Sequence, residues 1–288
     1  MTPLLALLRP REWVKNALVL APLLFGAKLF DLEAVVCALV TACAFCLAAS
    51  AGYVWNDLAD READRWHPLK RGRPLASGAL GIRSAAALSA GLALGSLALV
   101  APLGAKLVTC LAGYLGLTVM YSLWLKHVAI VDVLTIGAFY ILRVLAGSLA
   151  ISVPASDWLL MATGLLAVFL GLCKRRHELL LLGEEAARHR EVLGRTGSRF
   201  LDAAISLTTS TTLIAYLLYA VAPDTVTKFG TRGMLVGAPF VFYGLLRYLH
   251  LVYTEGRGGS PSELVATDPG VLAAAIGFAL VCAVVVYF

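Results

Sequence analysis

Apolar stretches of about 20 residues, the length a helix needs to cross a bilayer, recur along almost the whole of this chain. The rest of the sequence cannot coat them: 60% of the 288 residues are hydrophobic and 15% are charged, against roughly 25% charged in a soluble domain. The expected fold class is therefore an all-α integral membrane protein, one polytopic domain over residues 1–288. Nine spans can be drawn, at about 13–30, 34–55, 84–103, 105–125, 128–151, 157–182, 201–221, 232–253 and 270–288. Pro22 interrupts the first, and Lys28 ends its apolar run early. The first run begins only after Arg9, Arg11 and Lys15, and no small-residue cleavage site follows it, so no cleavable signal is expected.

The net charge of +6 is not a nucleic-acid signature, because the cations are sorted by loop. With the N-terminus in the cytoplasm, 19 of the 24 Lys and Arg residues fall on that side. Lys28, Lys106, Lys228 and Arg232 fall on the other, and Arg143 lies within a span. Short-loop Lys and Arg stay in the cytoplasm, which predicts a cytoplasmic N-terminus and a periplasmic C-terminus. Nine spans are needed for that alternation, so charge and hydropathy support each other. The longer loops on the cytoplasmic side (56–83, 183–200 and 254–269) carry most of the remaining polar residues, so chemistry is expected on that face. The second and sixth spans each end in a charged inner loop, a faint sign of internal repetition. The six cysteines lie in apolar segments; Cys43 and Cys46 have C-x-x-C spacing but no second ligand pair, and read as small packing residues.

The strongest polar motif is Asn56-Asp57-Leu58-Ala59-Asp60-Arg61-Glu62-Ala63-Asp64-Arg65. On a continuing helix, residues three, four and seven apart share a face, which puts Asp57, Asp60 and Asp64 on one stripe with Asn56 above Asp60. Three carboxylates so placed repel one another and need a cation. Oxygen donors without His or Cys favour Mg²⁺, which combines a few carboxylates with phosphate oxygens. Arg61 and Arg65 leave open a plain ion-paired helix end, but ionisable clusters at a membrane mouth are usually functional. Directly after comes His67-Pro68-Leu69-Lys70-Arg71-Gly72-Arg73-Pro74, where Lys70, Arg71 and Arg73 can neutralise phosphate oxygens and His67 reads as a loop hydrogen-bonder.

Three further groups stand out. Lys174-Arg175-Arg176-His177-Glu178 ends the sixth span; Lys174 and Glu178 can pair, and the placement of Glu178 opposite the Asp stripe is not a topology signal. Arg9-Pro10-Arg11-Glu12-Trp13-Val14-Lys15-Asn16 puts cations and an interfacial Trp at the membrane edge, either as an anchor or as a site for a lipid phosphate. Arg143, deep in the fifth span, must point into the bundle toward a partner or an anionic ligand, at a cost of roughly 2.5–3.5 kcal/mol if it faced lipid. Asp132 lies near the inner end of the same span. Tyr121, Ser122 and Lys126 are placed to close over a ligand.

Together these motifs resemble the UbiA superfamily of intramembrane prenyltransferases over essentially the whole chain. Asn56 to Asp64 at the close of the second span and the Tyr121-Ser122-x-x-x-Lys126 run carry the resemblance. It implies a nine-helix, Mg²⁺-dependent enzyme of the bacterial inner membrane facing the cytoplasm, with Asp57, Asp60 and Asp64 chelating Mg²⁺ on a diphosphate. Members that prenylate aromatic acceptors carry a second Asp-rich motif at the end of the sixth span. Here that place reads Gly171-Leu-Cys-Lys-Arg-Arg-His-Glu178. The chain is in this respect similar to the superfamily's polyprenyl-phosphate phosphoribosyltransferase branch. Arg9-Pro10-Arg11-x-Trp13-x-Lys15-Asn16, Asp64-Arg65-x-His67-Pro68-x-Lys70-Arg71-x-Arg73-Pro74, Lys174-Arg175 with Glu178, and Gly259-x-Pro261-x-Glu263 look like that branch.

The implied partners are phosphoribosyl diphosphate and a decaprenyl-type polyprenyl phosphate within the bilayer. The implied roles give the departing diphosphate to the metal with Lys70, Arg71 and Arg73, and the ribose 5-phosphate to Lys174, Arg175 and Arg176. Arg9, Lys15 and Asn16 would place the lipid phosphate. Glu263 and Asp268 are candidates for ribose hydroxyl contacts. Prenyl transfer to an aromatic acceptor, and transport of an anionic lipid or phosphate, are the alternatives. The sequence is compatible with a homo-oligomer but does not fix the number of copies.

Overall fold

The computed structural model describes residues 3–66, 70–182 and 197–288. His67 and Pro68, and Arg188, Arg190 and Arg195 of the loop expected at 183–200, lie outside them. Among the described residues every regular element is helical. After α1 (Pro3–Leu8) a 3₁₀ segment runs over Pro10–Leu20 into α2 (Ala21–Phe25). Next come α3 (Leu32–Ala59), α4 (Arg61–Trp66), α5 (Ile82–Val100), α6 (Ala105–Leu123), α7 (Val131–Ala150) and α8 (Asp157–Leu182). The chain continues through α9 (Ser198–Val221), α10 (Pro223–Phe229), α11 (Ala238–Tyr253), α12 (Pro261–Thr267) and α13 (Pro269–Tyr287).

Eight helical stretches among the described residues are long and apolar enough to cross a membrane. They coincide within a few residues with the second to ninth expected spans. Their outward faces carry large apolar side chains such as Leu94, Leu207 and Leu280, each more than 60% exposed. In water such faces would drive aggregation; beside acyl chains they cost nothing. This is a multi-pass membrane protein.

The first expected span is different. It is not a continuous α-helix but the 3₁₀ segment followed by α2. Pro22 has no N–H to donate to residue 18, so the i→i−4 ladder cannot run through it. The 3₁₀ segment docks on α3: Trp13 Nε1 donates to Ser50 Oγ at 3.0 Å, and Ser50 Oγ donates to the Leu8 carbonyl at 2.9 Å. Trp13 is thus a docking residue rather than a plain interfacial anchor. On another side, Gly147 of α7 lets the segment's backbone come close. A Cβ there would lie 2.0 Å from the Val19 carbonyl oxygen, a clash no side-chain rotation relieves.

The helices group into two compact units, although the sequence reads as one polytopic domain. The first comprises Met1–Leu23, Asp31–Thr135 and Leu142–Pro154; the second comprises Leu24–Phe30, Ile136–Ile141 and Ala155–Phe288. In the first, α3 is central and packs along α5, the 3₁₀ segment and α6. Its buried face is rich in small residues (Ala44, Ala48, Ala51, Gly52), which bring neighbouring backbones close where no hydrophobic effect drives helices together. Leu7, Val54, Leu75 and Ala85 close the core beneath the acidic motif. In the second unit α8 packs on α9, and α11 on α13. Phe169 and Tyr248 meet edge to face at 5.4 Å, and Tyr216 donates to the Met234 carbonyl at 2.6 Å.

Candidate functional site

The acidic motif is split by a break at Asp60. Asp60 is the C-cap of α3, with φ −92° and ψ 2°, and its N–H returns to the Asn56 carbonyl. The chain resumes as α4, where the Asp64 N–H bonds the Asp60 carbonyl at 2.8 Å. Asp57 and Asp64, two turns apart, stay on one face and are both buried. Asp57 Oδ1 and Asp64 Oδ2 accept from the same Arg73 Nη1, at 3.0 and 2.6 Å. Asp60 does not join them: it takes Lys126 Nζ on Oδ1 and Asn56 Nδ2 on Oδ2, the latter at 3.1 Å. The expected stripe of three is therefore two plus one, because the helix does not continue straight through Asp60.

Among the described residues no three His, Cys, Asp or Glu side chains gather closely enough to hold one metal ion. The donor set nevertheless fits a hard divalent cation. Two buried carboxylates converge on a single positive atom, Arg73 Nη1, and all the donors are oxygen. Burial pushes the Asp64 carboxyl up from its ordinary value, and the Arg73 and Lys70 charges oppose that rise. Arg71 is exposed.

Arg9 reaches the same cluster from the N-terminal side. Its Nη2 lies 2.5 Å from Asp57 Oδ1, and its guanidinium sits 5.2 Å from the centre of the Tyr53 ring. Its backbone is left-handed, with φ 51° and ψ 59°, which costs an L-residue about 1–2 kcal/mol. Such strain persists where surrounding contacts over-determine it; here they are the ion pair and Pro10 opening the 3₁₀ segment. Lys15 pairs with Glu12 at 2.5 Å.

Asn16 is not placed to meet a lipid headgroup. It is fully buried, its Oδ1 accepts from Arg143 Nε at 2.8 Å, and its Nδ2 donates to Cys46 Sγ at 3.3 Å. Arg143 also donates to Tyr114 Oη at 2.9 Å. The buried guanidinium thus ties the 3₁₀ segment to α6 and α7, and Asn16 is a tether in that network. Cys46 belongs to it as an acceptor, and all six cysteines are free thiols. Tyr121 is half-buried at the end of α6, Ser122 beside it is buried, and Asp132 is buried in the first turn of α7.

In the second unit the C-terminal end of α8 carries the basic cluster. Arg175 is buried and donates to Glu178 Oε2 at 2.6 Å, a one-turn pair. Lys174 is half-buried beside it. Arg176 donates through Nε to Asp202 Oδ1 at 2.6 Å and lies over the Tyr253 ring, 4.0 Å from its centre. Tyr253 Oη donates to the same Asp202 oxygen at 2.8 Å. The glycine-rich turn after α11 seats on this end: Cβ atoms built on Gly258 and Gly259 would meet His177 at 3.1 and 2.7 Å.

Asp268, a candidate for ribose contacts, is already occupied. It is buried, caps α13 by accepting from the Val271 N–H at 2.9 Å, and holds Arg247 at 2.8 Å. Those donors draw its carboxyl down to about 2. Glu263 is exposed on α12.

Sequence reading missed Asp202, Tyr253 and Tyr114. Asp202 and Tyr253 come together from positions 51 residues apart, and no local spacing signals such a meeting. The one available cue was weak: a carboxylate near the start of a span that follows a basic loop.

Residues 17–263 match the UbiA prenyltransferase family. A decaprenyl-phosphate phosphoribosyltransferase of Corynebacterium glutamicum is 33% identical over 284 residues, covering 96% of this chain and 85% of the relative. The enzyme of that name from Mycobacterium tuberculosis is 34% identical over 265 residues, covering 91% and 86%. A UbiA homologue from Archaeoglobus fulgidus, solved with GPP and Mg²⁺, superposes with a TM-score of 0.73 at 19% identity over the full length of both chains. The chain belongs to the UbiA prenyltransferase family and is a membrane-embedded transferase.

Proposed function

We propose that this enzyme transfers 5-phosphoribose from phosphoribosyl diphosphate to a decaprenyl-type polyprenyl phosphate in the bacterial inner membrane, and releases diphosphate. The observation that carries this reading is the end of α8, where Arg175 and Arg176 are held in place beside Lys174 and Glu178, the one carboxylate in the last three turns of that helix. Such a surface binds a phosphate and does not add a second acidic metal site. The names of the relatives support the same choice of substrates.

In this mechanism Asp57 and Asp64 would hold Mg²⁺, with Asp60 exchanging Lys126 for it, and the ion would supply charge neutralisation on the departing diphosphate. Arg73 gives up its position between the two carboxylates and turns to the diphosphate oxygens, with Lys70 and Arg71 beside it. Lys126, released from Asp60, and Tyr121 close over the ligand, and Asn56 keeps Asp60 in register. Arg9 and Lys15 meet the lipid phosphate, and Asn16 acts through the segment it tethers. An ionised lipid phosphate oxygen attacks C1 of the ribose. The C1–O bond to the diphosphate breaks on the opposite face, so the anomeric centre inverts. The nucleophile is already an anion, so no strong general base is required.

Nine crossings, with the N-terminus and the chemistry on the cytoplasmic face, complete the reading. The decisive experiment supplies purified protein and Mg²⁺ with phosphoribosyl diphosphate and a polyprenyl phosphate, beside a prenyl diphosphate with an aromatic acceptor. Lipid-linked phosphoribose in the first reaction alone is expected. Product only in the second would replace the reading with aromatic prenylation.

A further inference from the structure

Arg176 differs from the other cations near it in how its guanidinium is held. Its Nε is fixed by Asp202 at 2.6 Å and its flat face rests on the Tyr253 ring. The Tyr253 hydroxyl in turn fixes Asp202, so three side chains from α8, α9 and α11 form one closed unit. Both Nη groups are left over; among the described residues no protein group engages them. The Arg176 side chain is only 15% exposed, whereas Asp202 is 41% exposed.

The buried part of the side chain is its stem and Nε; neither Nη is among the buried atoms that lack a partner, so the remaining four N–H donors form an edge open to solvent. The same arrangement is what a planar anion receptor needs. The fork is pre-organised, its rotation is blocked by the stacked ring, and its free edge carries two parallel donors that suit adjacent phosphate oxygens. Lys174 and Arg175 on the same turn add positive potential.

We propose that Asp202 and Tyr253 are positioning residues that set the Arg176 guanidinium edge as the receptor for a phosphate monoester. This rests on the phosphoribosyl-transfer reading, in which that monoester is the 5-phosphate of the donor. The phosphate of the polyprenyl acceptor has the same chemistry and is the other possible source. Neither Asp202 nor Tyr253 touches the substrate; each acts through Arg176.

The test measures binding of ribose 5-phosphate, a short-chain polyprenyl phosphate and inorganic diphosphate to detergent-solubilised full-length protein. Wild type is compared with Asp202→Asn, Tyr253→Phe, Tyr253→Leu and Arg176→Gln. For ribose 5-phosphate the Kd is expected to rise about tenfold in Asp202→Asn and more in Arg176→Gln. Tyr253→Phe keeps the stacked ring and is expected to rise only a few-fold, less than Tyr253→Leu. Inorganic diphosphate affinity and the thermal midpoint should stay near wild type, and in turnover KM for the donor should rise with kcat largely kept. If polyprenyl phosphate shows the Asp202 dependence instead, the receptor stands with the lipid as its ligand, and its role in holding the donor is withdrawn. Wild-type binding of diphosphate but of neither monoester overturns the inference, as does unchanged monoester affinity in Asp202→Asn and Tyr253→Phe. Equal loss of all three ligands also overturns it, by assigning the pair to folding. Failure of the transfer assay in a protein whose monoester binding still depends on Asp202 would instead sink the functional reading alone.

Discussion

The acidic end of α3 and the basic end of α8 are built from the same ingredients with the charges exchanged. At the first, Asp57 and Asp64 are buried at 2% and 4% exposure, and the cations that satisfy them, Arg9 and Arg73, are about a quarter exposed. At the second, Arg175 is buried and Arg176 nearly so, and the carboxylates Glu178 and Asp202 are the more exposed partners. The buried member of each pair cannot leave without stranding a charge in a medium of low polarity. The exposed member can exchange. In the reaction proposed above, that lets the first region exchange its cations for the metal and the second exchange its carboxylates for a phosphate. The difference teaches that burial, rather than the number of charged residues, separates the two ends: Asp57 and Asp64 are the buried charges at one and Arg175 and Arg176 at the other, with Lys126, buried against Asp60, as the exception.

The comparison breaks most sharply at Asp57. Asp57→Asn leaves Arg9 and Arg73 facing a neutral group and should lower diphosphate release by about 100-fold or more; activity near wild type would remove the acidic end from the chemistry. Arg73→Gln should act in two directions. Without a guanidinium between the carboxylates, Mn²⁺ titrated by electron paramagnetic resonance should bind several-fold tighter. Diphosphate should bind about tenfold more weakly. Weaker binding of both would mean that Arg73 organises the carboxylates instead of standing in for the ion.

Next in size is a change outside both regions. Gly147→Ala puts a methyl against the Val19 carbonyl and should cost about 1–3 kcal/mol, read as a lower thermal midpoint in detergent. Activity should fall with it, since Arg9 and Asn16 ride on the displaced segment. The smallest effect concerns Asp268. Its folded value of about 2 lies below the ordinary 3.8, so the stability it contributes is fully present above about pH 4 and is lost as pH falls toward 2. The wild-type midpoint should fall more steeply across that window than that of Asp268→Asn. Parallel slopes would assign the acid sensitivity to other carboxylates.

Much of the architecture was legible because a membrane span is a one-dimensional signal. Eight of the nine expected stretches appear as helices with nearly the same bounds, since an apolar run of that length has only one way to satisfy its backbone in lipid. The first stretch resisted because Pro22 and a close approach at Gly147 decide its form, and the second of these is invisible in local sequence. Within the acidic motif the residue types pointed to a cation site, but helical spacing alone put Asp60 on the wrong partners. The turn at Asp60 and the arrival of Lys126 from 66 positions away moved it. Asn16 and Asp268 looked like ligands for want of visible partners, and those partners, Arg143 and Arg247, lie on other helices.

The sequence by itself determined that the chain crosses a membrane as α-helices, that its chemistry-bearing residues cluster at helix ends, and which residue types carry charge there. Hydropathy and composition act locally, so they can be read in order along the chain. Only the tertiary structure decided which charges are buried, which partners hold them, and that the Arg176 fork is locked by Asp202 and Tyr253. Those outcomes depend on distances between helices far apart in the chain, and the free energy of a charge depends on what surrounds it in space.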